Sequence, residues 1–206
     1  MRPLLDILYN FHWVREGEAA RSSQAHFGGL EELMLGHGLK AIVNLRGENS
    51  DLSWWRYERR VCESVGARHF DTMLDSRKVM TRAMLVRLVD VLEESPRPLL
   101  LKCSGGQDRT ALGSALFLIQ HHGWAARDEA ERQYARFPYL HFPKKHQRWL
   151  KLFVAFAHED SGGSPFAAWA RERYSPERFV AWAEQHGHAD TYKEIFTAPT
   201  RSRWQL

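Results

Sequence analysis

One stretch of the chain, Leu99-Leu100-Leu101-Lys102-Cys103-Ser104-Gly105-Gly106-Gln107-Asp108-Arg109-Thr110, holds the residue types and spacing from which chemistry can be built. An apolar run of strand character ends in Cys103, two glycines follow, and a helical pattern begins at Arg109. Strand, tight loop and helix in that order aim successive backbone N–H groups at one point and add the positive end of the helix. Such a cradle suits phosphate or a similar oxyanion. Ser104, Gly105, Gly106, Gln107, Asp108 and Arg109 are the expected phosphate-binding residues, and the two glycines supply the freedom in φ that a tight loop needs. The same field acts on Cys103. An ordinary thiol has a pKa of about 8.5, and electropositive surroundings at a helix N-terminus lower it. Cys103 is therefore the expected nucleophile, attacking phosphorus in line. Arg109 offers a planar fork for two phosphate oxygens. Thr110 can donate a hydrogen bond to the thiolate and help it leave in a second step, in which water hydrolyses a cysteinyl-phosphate. The competing reading is an inert buried cysteine in a strand-to-helix turn. A cysteine followed six residues later by an arginine is weak evidence alone; the strand before, the glycines inside and the helix after make it specific.

The elements that must position this loop follow from periodicity and caps. Lys40-Ala41-Ile42-Val43-Asn44-Leu45 reads as a buried strand, 67–70 as a second, and 99–101 as a third. Asn49 or Ser50 can cap a helix running to about 65, and Thr81 a helix carrying Leu85, Leu88, Val89 and Leu92, which Pro96 and Pro98 end. A helix over 109–121 carries Ala111, Leu112, Ala115, Leu116 and Ile119. Residues 1–38 read as irregular apart from a short helix over 29–37. Beyond Gly123 the pattern is helical, over 125–136, 143–158, 166–173 and 176–186, the last started by Ser175-Pro176. Strands alternating with helices imply an α/β fold, a central mostly parallel sheet flanked by helices, with extra C-terminal helices. Ser161-Gly162-Gly163-Ser164-Pro165 is the expected joint between a catalytic domain over 1–160 and a C-terminal helical extension over 161–206 packed on it.

The chain has 206 residues, a net charge of +4 and two cysteines, Cys62 and Cys103. Two cysteines make no disulfide framework, which points to a reducing, cytoplasmic setting. Asp6 interrupts the N-terminus before any apolar h-region forms, and no apolar run is long enough to span a bilayer, so neither a signal peptide nor stable membrane insertion is expected. The basic excess is too dispersed for a nucleic-acid stripe.

Cys-Ser-Gly-Gly-Gln-Asp-Arg-Thr at 103–110 resembles the Cys-x5-Arg-[Ser/Thr] signature of the protein tyrosine phosphatase superfamily, and the compact dual-specificity-like bacterial members in particular. Asn44-Leu45-Arg46-Gly47 and Arg21-Ser22-Ser23-Gln24 are similar to segments of those proteins, and the resemblance spans roughly 10–135. It implies a phosphatase with no metal or other cofactor, a phosphocysteine intermediate, and a phosphorylated protein or small phosphomonoester as substrate. It also implies an aspartate general acid on a loop upstream of the nucleophile. Asp75, in the loop before the Thr81 helix, is the first candidate. Asp71, at a strand end, and Asp108, inside the cradle, are the others. Two features depart from the commoner pattern. Lys102 stands where many members have histidine, although its charge could still favour a thiolate. The loop lacks the lysines of phosphoinositide-directed relatives, yet Asp108-Arg109-Thr110 resembles the myotubularin-type lipid phosphatases. A lipid or sugar phosphatase and a non-catalytic phosphate-binding protein are therefore the alternative functions.

Other features read more simply as structure. Cys62 fits a small buried side chain better than a redox partner of Cys103. Arg46 fits a scaffold contact, Trp54, Trp55 and Tyr57 fit core or cleft packing, and the basic run of His141, Lys144, Lys145, His146, Arg148 and Lys151 fits a solvated face. His141 and His146 have no cysteine or carboxylate pattern around them that would make a metal site.

Overall fold

The computed structural model describes residues 3–26 and 28–197. Among the described residues, seven strands and nine α-helices follow one another as α1 (Leu4–Leu8), β1 (His12–Arg15), β2 (Ala19–Ser22), α2 (Leu30–Gly36), β3 (Ala41–Asn44), α3 (Ser53–Ser64), β4 (Arg68–Asp71), β5 (Lys78–Val79), α4 (Arg82–Glu94), β6 (Leu99–Lys102), α5 (Asp108–His122), α6 (Arg127–Arg132), α7 (Trp149–Ser161), α8 (Phe166–Glu172), α9 (Pro176–Gln185) and β7 (Glu194–Ile195). Five strands form the central sheet in the order β1-β2-β6-β3-β4. β2, β6, β3 and β4 run parallel, and β1 joins β2 antiparallel. The sheet is α/β and mostly parallel, with helices on both faces, as the alternation of apolar runs implies.

Alternation along the strands divides the interior. Ala19, Ala41, Val43, Leu99 and Leu101 point into the larger apolar cluster, while Ala20, Ile42 and Leu100 point into the smaller one on the opposite face. Helix α5 lies within the larger cluster and is buried continuously over 110–119. A helix covered on all sides needs apolar or small residues all round, which Ala111-Leu112-Gly113-Ser114-Ala115 supplies. The C-terminal helices close the same cluster. Trp149, Phe153, Phe156, Trp169, Tyr174 and Phe179 are all withdrawn from solvent, and Trp149 and Phe156 meet Phe179 edge-on while Phe153 meets it at a tilt. Residues on both sides of the 161–165 connection thus share one core. β7 also pairs with β5, and the Lys78–Glu194 ion pair spans them at 2.6 Å.

The amino-terminal third is more ordered than its composition implies. Residues 12–22 form a hairpin, and β2 lies against the central strand β6 with Ser22 opposite Lys102. Ala19-Ala20-Arg21-Ser22 has little intrinsic strand preference; pairing and burial on both faces override propensity. The helix expected over 143–158 begins late, since α7 starts only at Trp149 after a 3-10 turn at Lys145–Gln147. The helix expected over 125–136 is a 3-10 turn at Trp124–Ala126 followed by α6. Helix α3 starts at Ser53, not beside Asn49, whose side chain instead donates to the carbonyls of Arg46 and Gly47. The expected caps at Thr81 and Ser175 are present, accepting from Met84 N and Arg178 N.

Because Phe179 is wholly buried among aromatic rings, Phe179→Ala should lower stability by about 3–5 kcal/mol. Denaturant unfolding should still show a single transition, because one core spans the chain; two separate transitions would refute that.

Candidate active site

The parallel strands β2, β6 and β3 end together, so the segments leaving them meet at one edge of the sheet, where such folds place ligands. From β6 the chain passes directly into Cys103 and the loop 104–107, then into α5. Gly106 has φ +64°, and a Cβ there would stand 2.6 Å from Ser23 N and 2.7 Å from the Ser22 carbonyl carbon. The loop therefore rests directly on the end of β2, and only glycine fits. Gln24 N donates to Ser104 O at 3.1 Å from the same segment.

Arg21 secures the loop from behind. It is fully buried, and its Nη2 donates to the carbonyls of Gly106 and Gln107 at 3.1 and 3.4 Å. Its Nη1 donates to the carbonyl and side chain of Gln133 at 2.7 and 3.1 Å. In a trans peptide the C=O and N–H point opposite ways. Holding these two carbonyls outward turns the following N–H groups inward. Burial pulls the Arg21 guanidinium down to about 10, against the opposing pull of Tyr139 and Cys103.

Inside the loop, Cys103 is 3% exposed. Thr110 Oγ1 donates to its Sγ at 3.0 Å. Burial works against a charged sulfur here. The Arg109 guanidinium, the Thr110 hydroxyl and the backbone N–H groups of Thr110 and Gln107 outweigh it, and the thiol lies below its ordinary value. Arg109 Nη2 donates to Ser104 Oγ at 3.0 Å, which folds the guanidinium back over the mouth of the loop. Thus Ser104, Gly106, Gln107, Arg109 and Thr110 all make contacts that shape the loop or hold its sulfur.

Lys102 does not act on this sulfur. It alternates to the other face of the sheet, where its Nζ lies 2.6 Å from Glu58 Oε2 and 3.0 Å from Gln24 Oε1, above the Trp54 ring. Both charges are 2% exposed, an ion pair whose one-sided removal costs about 3–5 kcal/mol. Burial draws Lys102 down to about 8 although Glu58 pulls it up. Burial pushes the Glu58 carboxyl up, but Lys102 and His69 more than offset it, so Glu58 lies below its ordinary value. Gln24 links this network to Arg46, whose Nη1 donates to Gln24 Oε1 at 3.0 Å and whose guanidinium covers Trp54.

The three aspartates have separate settings. Asp75 Oδ1 accepts the N–H groups of Arg77 and Lys78 at 2.7 and 3.1 Å, a turn contact. Asp71 accepts from Asn44 at 2.6 Å and from Trp55 Nε1 at 3.1 Å, behind the loop that follows β3. Asp108 opens α5 from within the phosphate loop. Its Oδ2 accepts from Gln147 Nε2 at 2.8 Å, and its Oδ1 lies 3.3 Å from His141 Nε2. Within the basic run, then, His141 faces Asp108, Lys145 pairs with Asp190, and His146 bonds the Tyr192 carbonyl. Cys62 sits in the smaller cluster, across the sheet from Cys103. Burial, reinforced by Glu58, raises its thiol to about 12.

Sequence reading did not single out the supporting roles of Arg21, Gln24, Glu58, His141 and Gln147. The resemblance of Arg21-Ser22-Ser23-Gln24 was the one signal, and it covered Arg21 and Gln24 without their roles. Among the described residues no group of three or more His, Cys, Asp or Glu is placed to hold a metal ion, and no helix is long and apolar enough to cross a membrane.

No protein-family model and no curated protein matches the chain. Solved structures do. TpbA of P. aeruginosa aligns with a TM-score of 0.57 at 17% identity, over 81% of this chain and 91% of that one. Tk-PTP in its active form aligns at 0.52 and 19%, over 70% and 95%. The core catalytic domain of the PP-IP phosphatase SIW14 from S. cerevisiae aligns at 0.50 and 18%, over 89% and 96%. Likenesses at such identities establish the fold, which is protein tyrosine phosphatase-like.

Gly106→Ala should drive the loop off the end of β2. The left-handed backbone alone costs about 1–2 kcal/mol for a non-glycine residue, and the clash with Ser22 and Ser23 adds to it. The expected outcome is a lower melting temperature together with loss of orthophosphate binding. Unchanged binding would mean that the close packing of loop on strand is not required.

Proposed function

We propose that this protein, with its protein tyrosine phosphatase-like fold, is a cysteine-dependent phosphatase that hydrolyses phosphomonoesters through a cysteinyl-phosphate. The observation that carries the reading is the convergence on one buried sulfur of a hydroxyl, two backbone N–H groups and a guanidinium, which together lower its pKa. In the first step the Cys103 thiolate attacks phosphorus, an S–P bond forms, and the P–O bond to the leaving group breaks. Loop N–H groups and Arg109 hold the three remaining oxygens, whose charge is spread most widely in the transition state. In the second step water attacks phosphorus, and the thiolate leaves, eased by Thr110.

The leaving oxygen needs a proton. Order along the chain favours Asp75, but the contacts favour Asp108. Asp108 lies in the loop beside Arg109, whereas Asp75 is engaged in closing its own turn. We assign Asp108 as the acid, and as the base that takes a proton from water in the second step. The substrate we propose is a phosphorylated tyrosine, or a serine or threonine, on a protein.

A second reading, a substrate bearing more than one phosphate, is favoured by Arg46. Among the described residues no carboxylate lies within ion-pair distance of this guanidinium. Its pKa is lowered by burial and by the nearby charge of Arg109, with Cys103 opposing. A second phosphate would relieve that repulsion. SIW14 is described as a PP-IP phosphatase, which accords with this alternative. Arg46→Ala should raise KM for such a substrate and leave KM for a simple aryl phosphate unchanged.

The purified protein should hydrolyse an aryl phosphate in the presence of a chelator. Cys103→Ser should abolish turnover while retaining orthophosphate binding, and Arg109→Lys should lower kcat by about 10²–10³-fold. Phosphate binding without turnover in the unaltered protein would refute the enzyme reading. Asp108→Asn should slow esters of poor leaving groups more than those of good ones. If Asp75→Asn shows that pattern and Asp108→Asn does not, the acid is Asp75.

A further inference from the structure

His141 stands in an arrangement with an unbalanced proton. The residue is 3% exposed. Its Nδ1 lies 3.1 Å from the Tyr134 carbonyl oxygen. A carbonyl can only accept, so Nδ1 carries the proton of that bond. Nε2 is buried, has no aligned hydrogen-bond partner among the described residues, and lies 3.3 Å from Asp108 Oδ1. A neutral imidazole protonated on Nδ1 would turn its Nε2 lone pair toward Asp108. Facing an ionised carboxylate, that lone pair would meet another, at a ring nitrogen that is itself closed to water. Leaving a buried acceptor unsatisfied against a like charge is costly. One proton in the gap removes the conflict, either on Nε2 as an imidazolium or on Oδ1 as a carboxylic acid donating to Nε2.

The surroundings hold both groups in register. Gln147 donates to Asp108 Oδ2 at 2.8 Å, so the carboxyl is fixed through both oxygens by side chains of the 137–148 segment. The Tyr134 ring stands edge-on to the imidazole at 5.5 Å. The charged and titratable groups of the neighbouring elements are Cys103 and Arg109 in the loop, Arg21 on β2, Tyr134, and Lys144, Lys145 and Arg148 beyond His141. Lys145 is neutralised by Asp190. Asp75 and Arg77 flank Ser76, whose Oγ lies 3.4 Å from Gln147 Nε2.

We propose that His141 and Asp108 share one proton and that His141 thereby keeps Asp108 loaded as the leaving-group acid. The inference rests on Asp108 being that acid. As the P–O bond breaks, the shared proton passes through Asp108 to the leaving oxygen, leaving a carboxylate beside a neutral imidazole. When water attacks the phosphocysteine, its proton returns to Asp108, the S–P bond breaks, and the starting state is restored without an outside reactant. His141 touches no substrate in this scheme; it is a positioning residue that governs the proton of Asp108.

The test compares an aryl phosphate with a good leaving group, nitrophenyl phosphate, and one with a poor leaving group, phenyl phosphate. For His141→Asn at neutral pH, kcat/KM for phenyl phosphate should fall about 10-fold or more, and that for nitrophenyl phosphate should change little. Lowering the pH should restore part of the loss, and His141→Asn should cost nothing further in an Asp108→Asn background. Equal losses for both esters, losses independent of pH, or losses that multiply with those of Asp108→Asn would overturn the proposal in favour of a purely structural histidine. If Asp108→Asn shows the leaving-group pattern and His141→Asn does not, the proton sharing fails while the acid assignment stands. If Asp108→Asn lacks the pattern, the acid assignment fails and the inference with it. The unaltered protein gives a readout that needs no histidine variant. The imidazole nitrogen chemical shifts of His141 should show Nε2 protonated or hydrogen-bonded, and Asp108→Asn should abolish that state. A bare Nε2 unaffected by Asp108→Asn would overturn the proposal.

Discussion

A negative charge on sulfur inside a protein is the condition from which the rest of this structure follows. Taking an ion out of water costs several kcal/mol after relaxation, unless fixed dipoles and opposite charges replace the lost hydration. Around Cys103 that replacement is built from short-range parts: the Thr110 hydroxyl, two backbone N–H groups and Arg109. None is flexible in its aim. The Gln107 N–H points inward because Arg21 holds the Gly106 carbonyl outward, the Thr110 N–H belongs to the first turn of α5, and the loop keeps its curvature because Gly106 lies against the backbone of Ser22 and Ser23. In the function proposed, the same donors that favour the thiolate would receive the oxygens of a phosphoryl group, so one arrangement would serve both nucleophile and substrate.

Such an arrangement needs a rigid base, and the fold provides it in two layers. On one face α5 is enclosed by the sheet and by α4, α6, α7 and α8, which fixes the helix whose first turn completes the loop. On the other face the Lys102, Glu58, Gln24 and Arg46 network ties α3 to the ends of β2, β3 and β6. Alternation along β6 lets adjacent residues serve different ends. Cys103 faces the side of the larger apolar cluster and α5, while Lys102 supports the opposite face and leaves the thiol's charge balance to the loop.

Much of this was legible in the sequence because it rests on local rules. The Leu99-Leu100-Leu101 strand, the glycine loop and the helix after it identify the cradle, and Thr81 and Ser175 announce two helices through their caps. What escaped reading depends on partners far away in the chain. β2 has an alanine-rich sequence that becomes a strand only because β6 is beside it. Residues 143–148 look like the start of a helix, but the segment from 137 to 148 is irregular backbone and a 3-10 turn at Lys145–Gln147 that bring His141 and Gln147 to Asp108. The choice among Asp71, Asp75 and Asp108 turns on such contacts. Asp71 is bound to Trp55 and Asn44, Asp75 to its own turn, and Asp108 to two side chains some 30 to 40 positions later in the sequence. No spacing rule connects those positions.

The central claim is that Cys103 is a thiolate where an ordinary cysteine is not, and it is tested most directly by the pH dependence of alkylation. Burial and Glu58 hold the Cys62 thiol up at about 12, so iodoacetamide should modify Cys103 alone, identified by mass spectrometry of the labelled peptide. A lowered thiol pKa means that the charged form persists as the pH falls below the usual thiol range of about 8.5. The rate of labelling at Cys103 should therefore stay high through neutral pH and decline only in acid, and Arg109→Ala should move that decline toward higher pH. A midpoint at the ordinary thiol value, unmoved by Arg109→Ala, would contradict the account.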